Sequence, residues 1–489
     1  MYNLIRINRR QFLKHTSMLT FSAGLLGNRF GQAADIVSSS KLKIQSGQKP
    51  NILFISVDDL RIQLGCYGHT ETISPNIDRL ASEGTLFNRA YCQVPVCGPS
   101  RVSAMTGIRT NSNQWYTSNL SQSFKSLPQY FKDYGYHSIS NGKIYHHMHD
   151  DENSWSEKPW RSVPIYHGPG DWAKYNTYGL WNNPDSANYI NSSSGRGPYC
   201  ESADVPDNAY QDGKVAQKTI ADLRRLKKKG KPFFLACGFW RPHLPFNAPK
   251  KYWDMYRRED IDMAPNRFKP SNLPSACGDS GEINQYARVA GRKSTDEFHR
   301  EARHGYYACV SYVDAQIGKI LAELKSQGLA DNTIVILWGD HGWHLGEHDF
   351  WGKHNTLNNA LQVPMLIRVP GYKKNNKTNA LVEFVDIYPS LCQLAGIPIP
   401  REQVQGTSFV PLLSNPDLKW KSAVFSTYGG AKAVKTDRYL YSEWSNARML
   451  FDHTNDPYEN ANIAELPENA QVVAQMSQML KDGWTSSLI

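Results

Sequence analysis

The chain has 489 residues, of which 40% are hydrophobic and 20% are charged, a composition typical of a globular protein with a substantial core. Its formal net charge is +10, and residues 1–33 contribute five of these charges because they contain five basic residues and no acidic one. The remaining positive charge would suit a polyanionic substrate. It is too small to indicate nucleic-acid binding, and no nucleic-acid-binding motif accompanies it, so no nucleic-acid partner is expected.

Residues 1–33 have the features of an export signal. The sequence Asn-Arg-Arg-Gln-Phe-Leu-Lys at 8–14 contains twin arginines, and an apolar run follows at 18–26. This pattern is typical of a bacterial Tat signal, which implies the Tat export machinery as a partner. The apolar run is too short to span a bilayer, so no stable membrane insertion is expected. We predict a signal peptide at 1–33, a polar linker at 34–48 and a periplasmic or secreted protein.

Apolar runs and helical patterns alternate along the next part of the chain. Strands are predicted at Asn51–Val57, Tyr136–Ser140, Pro232–Gly238, Thr333–Trp338 and Met365–Val369. Helices are predicted at Pro75–Ser82, Leu127–Tyr134, Gln211–Lys229 and Phe298–Gln327. Continuous apolar strands are typical of a parallel sheet that is buried on both faces. Their alternation with helices predicts a large, doubly wound, mostly parallel α/β domain, which we assign to 49–421.

Two stretches interrupt this alternation, and the pattern changes again near the C terminus. Residues 150–210 and 269–296 have no clear period and are predicted to be long surface loops, which in enzymes are often functional. From 422 onwards, short alternating strands and one helix are predicted at Ala423–Thr427, Ala431–Lys435, Tyr439–Ser442, Arg448–Asp452 and Ala470–Trp484. They indicate a small C-terminal α+β subdomain with an antiparallel sheet at 422–489. Eight cysteines without short paired spacings argue against a disulfide scaffold or a zinc motif, and any disulfide pairing is left open.

Acidic residues follow two of the predicted strands at their carboxyl ends. Asp58 and Asp59 come directly after the first strand, and Asp340 and His341 come after the strand at 333–338. Open α/β sheets bind ligands at that edge, and adjacent buried carboxylates need a cation. Oxygen ligands favour Ca²⁺ or Mg²⁺. An acidic helix cap would explain a lone Asp-Asp pair, but two such sites in the same context favour a shared metal ion.

Three further segments supply cations or proton donors near strand ends. They contain Lys143 and His146, then Arg241 and His243, then Lys353 and His354. Such groups can stabilise an anionic substrate and protonate a leaving oxygen, although each one alone is better explained as a surface lysine or a core histidine. The histidines between 341 and 354 would also fit a transition-metal site. We disfavour that interpretation because they cannot all face one point.

The pentapeptide Cys97-Gly98-Pro99-Ser100-Arg101 has the form C-x-P-S-R. By itself it is equally well explained as a turn before a helix, because Pro99 suits the first helical position. A reactive group at Cys97 would then lie at the positive end of that helix, which favours an anion. In sulfatases this signature marks a cysteine that is oxidised to formylglycine, an aldehyde. One oxygen of its hydrate attacks sulfur, and the second expels the sulfate afterwards.

Together with its flanking motifs, the chain resembles a type I, formylglycine-dependent sulfatase of the alkaline-phosphatase superfamily, and specifically the iduronate 2-sulfatase subgroup. The resemblance extends strongly from 50 to 371 and is weaker in the tail at 450–460. It rests on the segments 57–61, 64–68, 74–81, 96–107, 142–146, 232–246, 307–318, 340–348 and 363–371. The histidine at 341 supports the narrower assignment, because many sulfatases have asparagine there.

The resemblance implies a role for each of these residues. One calcium ion would be bound by Asp58, Asp59, modified Cys97, Asp340 and His341. Arg101 and Lys143 would hold the oxygens of the diol and of the sulfate, and His146 would assist the elimination of sulfate. His243 and Lys353 would contact the ester and protonate the leaving alcohol. A maturation enzyme that generates formylglycine at Cys97 is implied as a partner, and a sulfated carbohydrate is implied as the substrate.

Departures from the subgroup bear on the sugar. His354 stands where the subgroup has tyrosine, His344 stands where it has alanine, and the loop at 153–207 diverges except for Arg196-Gly197-Pro198. The expected function is hydrolysis of O-sulfate esters of a polysaccharide or oligosaccharide, with uronate 2-O-sulfates of glycosaminoglycans or ulvan among the candidates. Two alternatives stay open, namely a formylglycine-dependent phosphodiesterase or phosphonate hydrolase, and a non-catalytic sulfated-glycan-binding protein with unconverted Cys97.

Overall fold

The computed structural model describes residues 49–111, 124–146, 150–162, 180–183, 186 and 196–488. The predicted signal peptide at 1–33 and the predicted linker at 34–48 lie outside these residues. Among the helices of the described ranges, none combines the length and the apolar composition needed to cross a bilayer.

Strands of the described residues build two larger sheets and two short pairings. In chain order, the strands are β1 (Asn51–Val57), β2 (Thr85–Tyr91), β3 (His137–Gly142), β4 (Cys200–Glu201), β5 (Phe233–Phe239), β6 (Phe246–Asn247), β7 (Thr333–Gly339), β8 (His344–Leu345), β9 (Trp351–Gly352), β10 (Gln362–Arg368), β11 (Asn376–Glu383), β12 (Ala423–Tyr428), β13 (Ala431–Thr436), β14 (Tyr439–Glu443) and β15 (Arg448–Asp452). The α-helices are α1 (Pro75–Ser82), α2 (Cys97–Thr106), α3 (Leu127–Asp133), α4 (Gln211–Lys229), α5 (Lys250–Trp253), α6 (Asp296–Ser326), α7 (Asn358–Leu361), α8 (Ile387–Leu394), α9 (Val410–Ser414) and α10 (Ala470–Asp482).

The larger sheet has seven strands in the order β11–β2–β10–β7–β1–β5–β3. Its neighbouring strands run parallel except for β10, which pairs antiparallel with both β2 and β7. The smaller sheet is antiparallel, with the order β12–β13–β14–β15, and α10 packs against it. This arrangement confirms the predicted fold class, a mostly parallel α/β sheet with a C-terminal antiparallel sheet. The division between 421 and 422 stays a prediction.

β1 lies near the centre of the larger sheet, and all seven of its residues are buried. It pairs in parallel with β5 on one side and β7 on the other, and the register aligns Val57 with Phe239 and with Gly339. The three strands therefore end at the same level. Residues that follow them in the chain share one edge of the sheet, and this edge carries the predicted site.

Two strands of this sheet are not predicted from the sequence, and the helix that contains Cys97 begins earlier than expected. β2 contains the partly exposed Asn88 and Arg89, and β11 is an edge strand with exposed Lys377. Polar residues of this kind obscure the apolar pattern on which the prediction of a buried strand depends. α2 begins at Cys97, so Pro99 is its third residue rather than its first. Proline is tolerated there because the first N–H groups of a helix have no helical acceptor.

The described part of 150–210 is mostly irregular, as predicted, but it does not lie wholly at the surface. Trp181, Tyr199 and Tyr210 are all buried, and the ring of Tyr199 lies 5.0 Å from that of Phe298 in α6. Large aromatic side chains can bury much apolar area without regular secondary structure, so an aperiodic segment can still belong to the core.

All eight cysteines lie in the described residues, and none of them pairs with another. Seven are buried, and Cys66 is partly buried. The core is therefore held by apolar packing rather than by cross-links, as a chain of this length allows.

Gly142 offers a test of the close packing at the strand ends. It has a φ of 80°, and a Cβ atom there would lie 2.1 Å from the carbonyl oxygen of Gly238. Gly142→Ala is expected to lower the free energy of unfolding by about 2–4 kcal/mol, because it adds a backbone clash to left-handed strain.

Gly230→Ala is the matched control for this substitution. Gly230 also has a positive φ, of 66°, but no described atom lies within 4 Å of an added Cβ. A loss of only about 1 kcal/mol is therefore expected from backbone strain. Urea unfolding of both variants measures the difference, and equal losses would contradict the close approach.

Candidate active site

Two acidic segments leave the strand ends side by side. The N–H of Asp58 donates to the carbonyl oxygen of Phe239 over 3.2 Å, and the N–H of Asp340 donates to that of Val57 over 3.3 Å. These bonds extend the pairing of β1 with β5 and β7 by one residue, so both acids emerge at the same edge. Asp58, Asp59 and Asp340 are all fully buried.

The predicted metal ligands lie together at this edge. Two overlapping groups have one ligand atom per residue within 4.8 Å of the others: Asp58, Asp59, Cys97 and His243, and Asp58, Cys97, Asp340 and His341. The structure thus gathers three carboxylates, imidazole nitrogen and the sulfur of Cys97 around one point. We call the five residues Asp58, Asp59, Cys97, Asp340 and His341 the acidic cluster.

His341 presents one ring nitrogen to the acidic cluster. Its Nδ1 is 3.0 Å from the carbonyl oxygen of Gly342, which can only accept, so Nδ1 carries the ring proton. Nε2 is then the nitrogen available to a ligand, and it lies 3.1 Å from Cys97 Sγ and 3.4 Å from Asp59 Oδ1. An imidazole held in this tautomer is suited to bind a metal ion through Nε2.

Asp59 has a strained backbone, with a φ of 57°. Such a conformation costs a non-glycine residue about 1–3 kcal/mol. Two contacts hold it: the hydroxyl of Tyr306 donates to the Asp59 carbonyl oxygen over 2.7 Å, and the Asp59 N–H donates to Asp340 Oδ1 over 3.0 Å. Strain at a position that is fixed on both sides is typical of functional sites.

The carboxylate of Asp59 is suited to a cation. Burial raises its pKa well above the usual value, and although Lys353 opposes this shift, Asp58 adds to it. Its Oδ2 is buried and has no hydrogen-bond partner among the described residues. A buried carboxylate oxygen without a partner is costly, and a divalent cation would supply the missing interaction. The acidic cluster therefore fits a hard divalent metal ion such as Ca²⁺.

Arg101 and Lys143 balance the negative charge of the acidic cluster. Arg101 Nε donates to Asp340 Oδ2 over 2.8 Å, its Nη2 donates to Asp58 Oδ1 over 3.3 Å, and its Nη1 donates to the backbone carbonyl of Lys143 over 2.5 Å. Lys143 Nζ contacts Asp58 Oδ2. Burial alone would raise the pKa of Asp58, but the charges of Lys143 and Arg101 outweigh it and hold that pKa well below its usual value. Arg101 thus fastens two acids in place.

Cys97 lies at the N terminus of α2 and is 3% exposed. The unpaired N–H groups at this end of the helix favour an anion next to the side chain. Burial and the neighbouring Asp58 raise the pKa of the Cys97 thiol to about 12. As an unmodified cysteine, this residue is a neutral thiol and a weak nucleophile.

A second pair of basic residues lies beside the acidic cluster and shares an acid. Lys353 Nζ is 2.8 Å from Asp59 Oδ1 and 3.2 Å from Glu282 Oε2. His243 Nε2 is 3.2 Å from Glu282 Oε1, and its Nδ1 is 2.7 Å from the carbonyl oxygen of Leu244. Burial and the charge of Lys353 lower the pKa of His243 to about 3, so its imidazole is neutral near pH 7.

The remaining histidines of this region have other partners. His344 and His348 contact an amide oxygen and a backbone carbonyl over 3.2 and 2.8 Å, and His354 stacks on Tyr428 with ring centroids 5.5 Å apart. The ring centroids of His344 and His348 lie 5.5 Å apart, and neither candidate group of metal ligands in the described residues includes His344, His348 or His354. His146 is partly buried three residues beyond Lys143, and its assigned role stays a prediction.

Sequence reasoning misses three residues next to the site. Glu282 stands in the aperiodic segment 269–296 with no motif around it, so the only signal was the expectation that long loops carry function. Trp240 and Trp343 also went unassigned. Their rings lie 4.8 Å from Lys143 Nζ and 5.0 Å from Lys353 Nζ, close enough for cation–π contacts that support each ammonium group.

Known proteins are similar to this chain in sequence and in fold. The chain is 35% identical over 401 residues to the iduronate 2-sulfatase of the mouse, which covers 72% of this chain and 69% of the relative. It is 26% identical over 480 residues to a delta 4,5-hexuronate-2-O-sulfatase of Bacteroides thetaiotaomicron, covering 91% and 90% of the two chains. The solved structure of a 2-O GAG sulfatase matches with a TM-score of 0.69 at 23% identity and covers 90% of this chain and 93% of that one.

The family model for sulfatases matches residues 50–397, and a model for the C-terminal part of N-sulphoglucosamine sulphohydrolase matches residues 346–485. The first match spans most of the chain and includes the whole acidic cluster together with Lys143, His243 and Lys353. The chain therefore belongs to the sulfatase family and is a hydrolase of sulfuric esters.

Proposed function

We propose that the protein is an exported, calcium-dependent sulfatase that uses a formylglycine made from Cys97 to hydrolyse O-sulfate esters of a sulfated carbohydrate. The observation that carries this proposal is the position of Cys97, at a helix N terminus and within 4.8 Å of ligand atoms from two buried acids and His341. An unmodified thiol with a raised pKa is unsuited to this position, whereas an aldehyde hydrate offers two oxygens in place of the sulfur.

The acidic cluster would hold the calcium ion. Once bound, the ion would neutralise the carboxylates and draw charge from the sulfate oxygens. Arg101 keeps Asp58 and Asp340 aligned, and Lys143 contacts Asp58, so these two basic residues would fix the ligands and add positive charge where the sulfate lies. The N terminus of α2 would stabilise the same anion.

Lys353 and His243 would act on the leaving alcohol. His243 Nδ1 bonds to a carbonyl oxygen, so Nε2 is the atom that can face the ester. Because the pKa of His243 is lowered to about 3, its imidazole is neutral and Nε2 carries no proton. It would contact and help to position the ester without donating to it, and the ammonium of Lys353 would supply the proton. The substrate would be a saccharide whose alcohol is a poor leaving group and needs that proton.

Comparison with two relatives favours uronate 2-O-sulfates as the substrates of this protein. The mouse relative is an iduronate 2-sulfatase, and the bacterial relative acts on the 2-O-sulfate of an unsaturated hexuronate. Both sugars are uronates that carry sulfate on O2, so we propose such a unit, within a glycosaminoglycan or ulvan fragment, as the substrate. The partners would be the maturation enzyme that converts Cys97 and the Tat machinery that exports the protein.

Replacement of the proposed nucleophile tests the mechanism. Cys97→Ala is expected to lower kcat/KM on sulfate esters by more than about 10³-fold, because no other described residue supplies an equivalent nucleophile. Cys392→Ala is the matched control, since Cys392 is also buried but lies in α8. Mass spectrometry of the peptide that contains residue 97 should show the aldehyde in active enzyme. Full turnover by Cys97→Ala would refute the proposal.

The same assay decides the substrate class. A panel of saccharides with single sulfates at defined positions is compared with phosphate diesters at matched concentrations, using enzyme purified from a host that converts Cys97. We expect hexuronate 2-O-sulfate to have the highest kcat/KM. A large preference for phosphate diesters would instead favour a phosphodiesterase.

Calcium should stabilise the folded protein through the acidic cluster. Ca²⁺ at a hundredfold excess over its Kd should add about 3 kcal/mol to the free energy of unfolding, and a chelator should remove it. Asp340→Asn is expected to abolish this difference, whereas Asp331→Asn, at an exposed position, should leave it intact. Thermal unfolding measures both. An unfolding midpoint that does not respond to calcium or chelator would count against the metal site.

Leaving-group dependence separates the roles of the two basic residues. Lys353→Met should lower kcat/KM on a sugar sulfate by about 10²–10⁴-fold but on a nitrophenyl sulfate by about tenfold or less, because a nitrophenolate leaves without a proton. His243→Gln should affect both substrates similarly, since orientation matters to both. Equal losses for Lys353→Met on the two substrates would remove Lys353 from the role of proton donor.

A further inference from the structure

Glu282 is a partly buried acid with unused capacity to accept hydrogen bonds. It begins a short 3₁₀ turn, Glu282–Gln285, and faces His243 and Lys353, each 3.2 Å from one of its oxygens. Its Oε2 is buried, and Lys353 Nζ approaches it over 3.2 Å without the alignment of a hydrogen bond. A carboxylate accepts but never donates, so a ligand that completes this environment must bring a donor.

The loop that carries Glu282 is packed tightly against the site. A Cβ atom at Gly352 would lie 2.2 Å from the Cβ of Ser280, and Ser280 Oγ lies 2.9 Å from His354 Nδ1. The residues on both sides of Lys353 therefore contact this loop. Glu282 is held at a fixed place relative to the ammonium group that it faces.

Exposure indicates which part of a substrate meets Glu282. The side chains of His243 and Glu282 are 15% and 14% exposed, whereas that of Lys353 is 2% exposed and those of Asp58 and Lys143 are fully buried. Of these five side chains, those of His243 and Glu282 are the most exposed, so an ester that approaches the acidic cluster from this side would pass them. Its sulfate would lie inside, and its sugar, which is the larger part, would lie at the level of Glu282.

The charge of Glu282 would attract one kind of sugar and repel another. A free hydroxyl on the carbon next to the sulfated one can donate to the carboxylate, which satisfies both groups. A second sulfate at that carbon offers only acceptors and a negative charge, so it would repel the carboxylate in a largely buried setting. Glu282 thus favours one substitution pattern over the other.

We propose that Glu282 is a specificity-determining residue: it accepts a hydrogen bond from the free hydroxyl beside the sulfated carbon and disfavours sugars that carry two neighbouring sulfates. This inference rests on the proposed sulfatase function and narrows its substrate to saccharides with a lone sulfate next to a free hydroxyl.

Three probes test the proposal with the full-length enzyme. They are hexuronate 2-O-sulfate, its 3-O-methyl ether and its 2,3-disulfate; if the panel above selects another sugar, the corresponding three derivatives are used. Wild-type enzyme should lose about 10- to 100-fold in kcat/KM on methylation, because the carboxylate is left without its donor. It should discriminate at least as strongly against the disulfate. This comparison needs no variant and so does not depend on the folding of one.

Glu282→Gln then removes the charge while keeping the shape. The ratio of kcat/KM between the monosulfate and the disulfate should fall about tenfold or more, since an amide no longer repels the second sulfate. Glu259→Gln is the control, because Glu259 is 63% exposed in its side chain and pairs with Arg257 at the surface. It should leave all three rates unchanged.

Three results would overturn the inference. Wild-type enzyme that hydrolyses the methyl ether as fast as the parent would show that no donor is needed. A Glu282→Gln variant that loses activity equally on all three probes would make Glu282 a positioning residue for His243 and Lys353 instead. Wild-type enzyme that hydrolyses none of the sulfate panel would overturn the proposed function, and this inference with it.

Discussion

Three carboxylates are buried within a few ångströms of one another at the carboxyl edge of the main sheet, and most of the local structure serves to make that arrangement stable. Asp58, Asp59 and Asp340 follow β1 and β7. These strands end at the same level because their pairing aligns Val57 with Gly339, the last residue of each strand. Buried charges that lie close together are strongly destabilising unless cations and hydrogen bonds compensate them. Part of that compensation comes from Arg101, Lys143 and Lys353. Asp59 Oδ2 has no hydrogen-bond partner among the described residues, so a further positive group is needed next to this oxygen.

Each lysine or arginine nitrogen that contacts these three acids faces a different carboxylate oxygen. Arg101 contacts Asp340 and Asp58 through two nitrogens of one planar group, a rigid arrangement that a lysine could not reproduce. Lys143 takes the other oxygen of Asp58, and Lys353 takes Asp59. The chemistry of a sulfuric ester hydrolase needs positive charge around the ester oxygens, and here that charge is already in position before any ligand arrives.

The sequence predicts the centre of this fold better than its margins. β1 and β7 are recognisable because they are buried throughout and therefore apolar, and acids that follow such strands indicate a site at their ends. β2 and β11 escape prediction because their polar residues interrupt that pattern. Glu282 is missed for another reason. It is next to the site only because the folded chain brings it into contact with His243 and Lys353, which are distant from it in sequence. The buried aromatic residues in the segment predicted to be surface loops are missed for the same reason, because their partners, such as Phe298 for Tyr199, are distant in sequence.

The main chain at Gly238 approaches that of Lys143 so closely that a Cβ atom would lie 2.0 Å from the Lys143 carbonyl oxygen. Lys143 therefore owes its position to a neighbouring strand and cannot drift independently of the sheet. The segment around Glu282, by contrast, has no strand partner in the main sheet. If Glu282 selects the sugar as proposed, reaction chemistry and sugar choice reside on segments that are attached to the main sheet in different ways. Because Ser280 packs against Gly352 beside Lys353, a loop 277–286 that is exchanged between relatives would have to keep this contact to preserve the reactive groups.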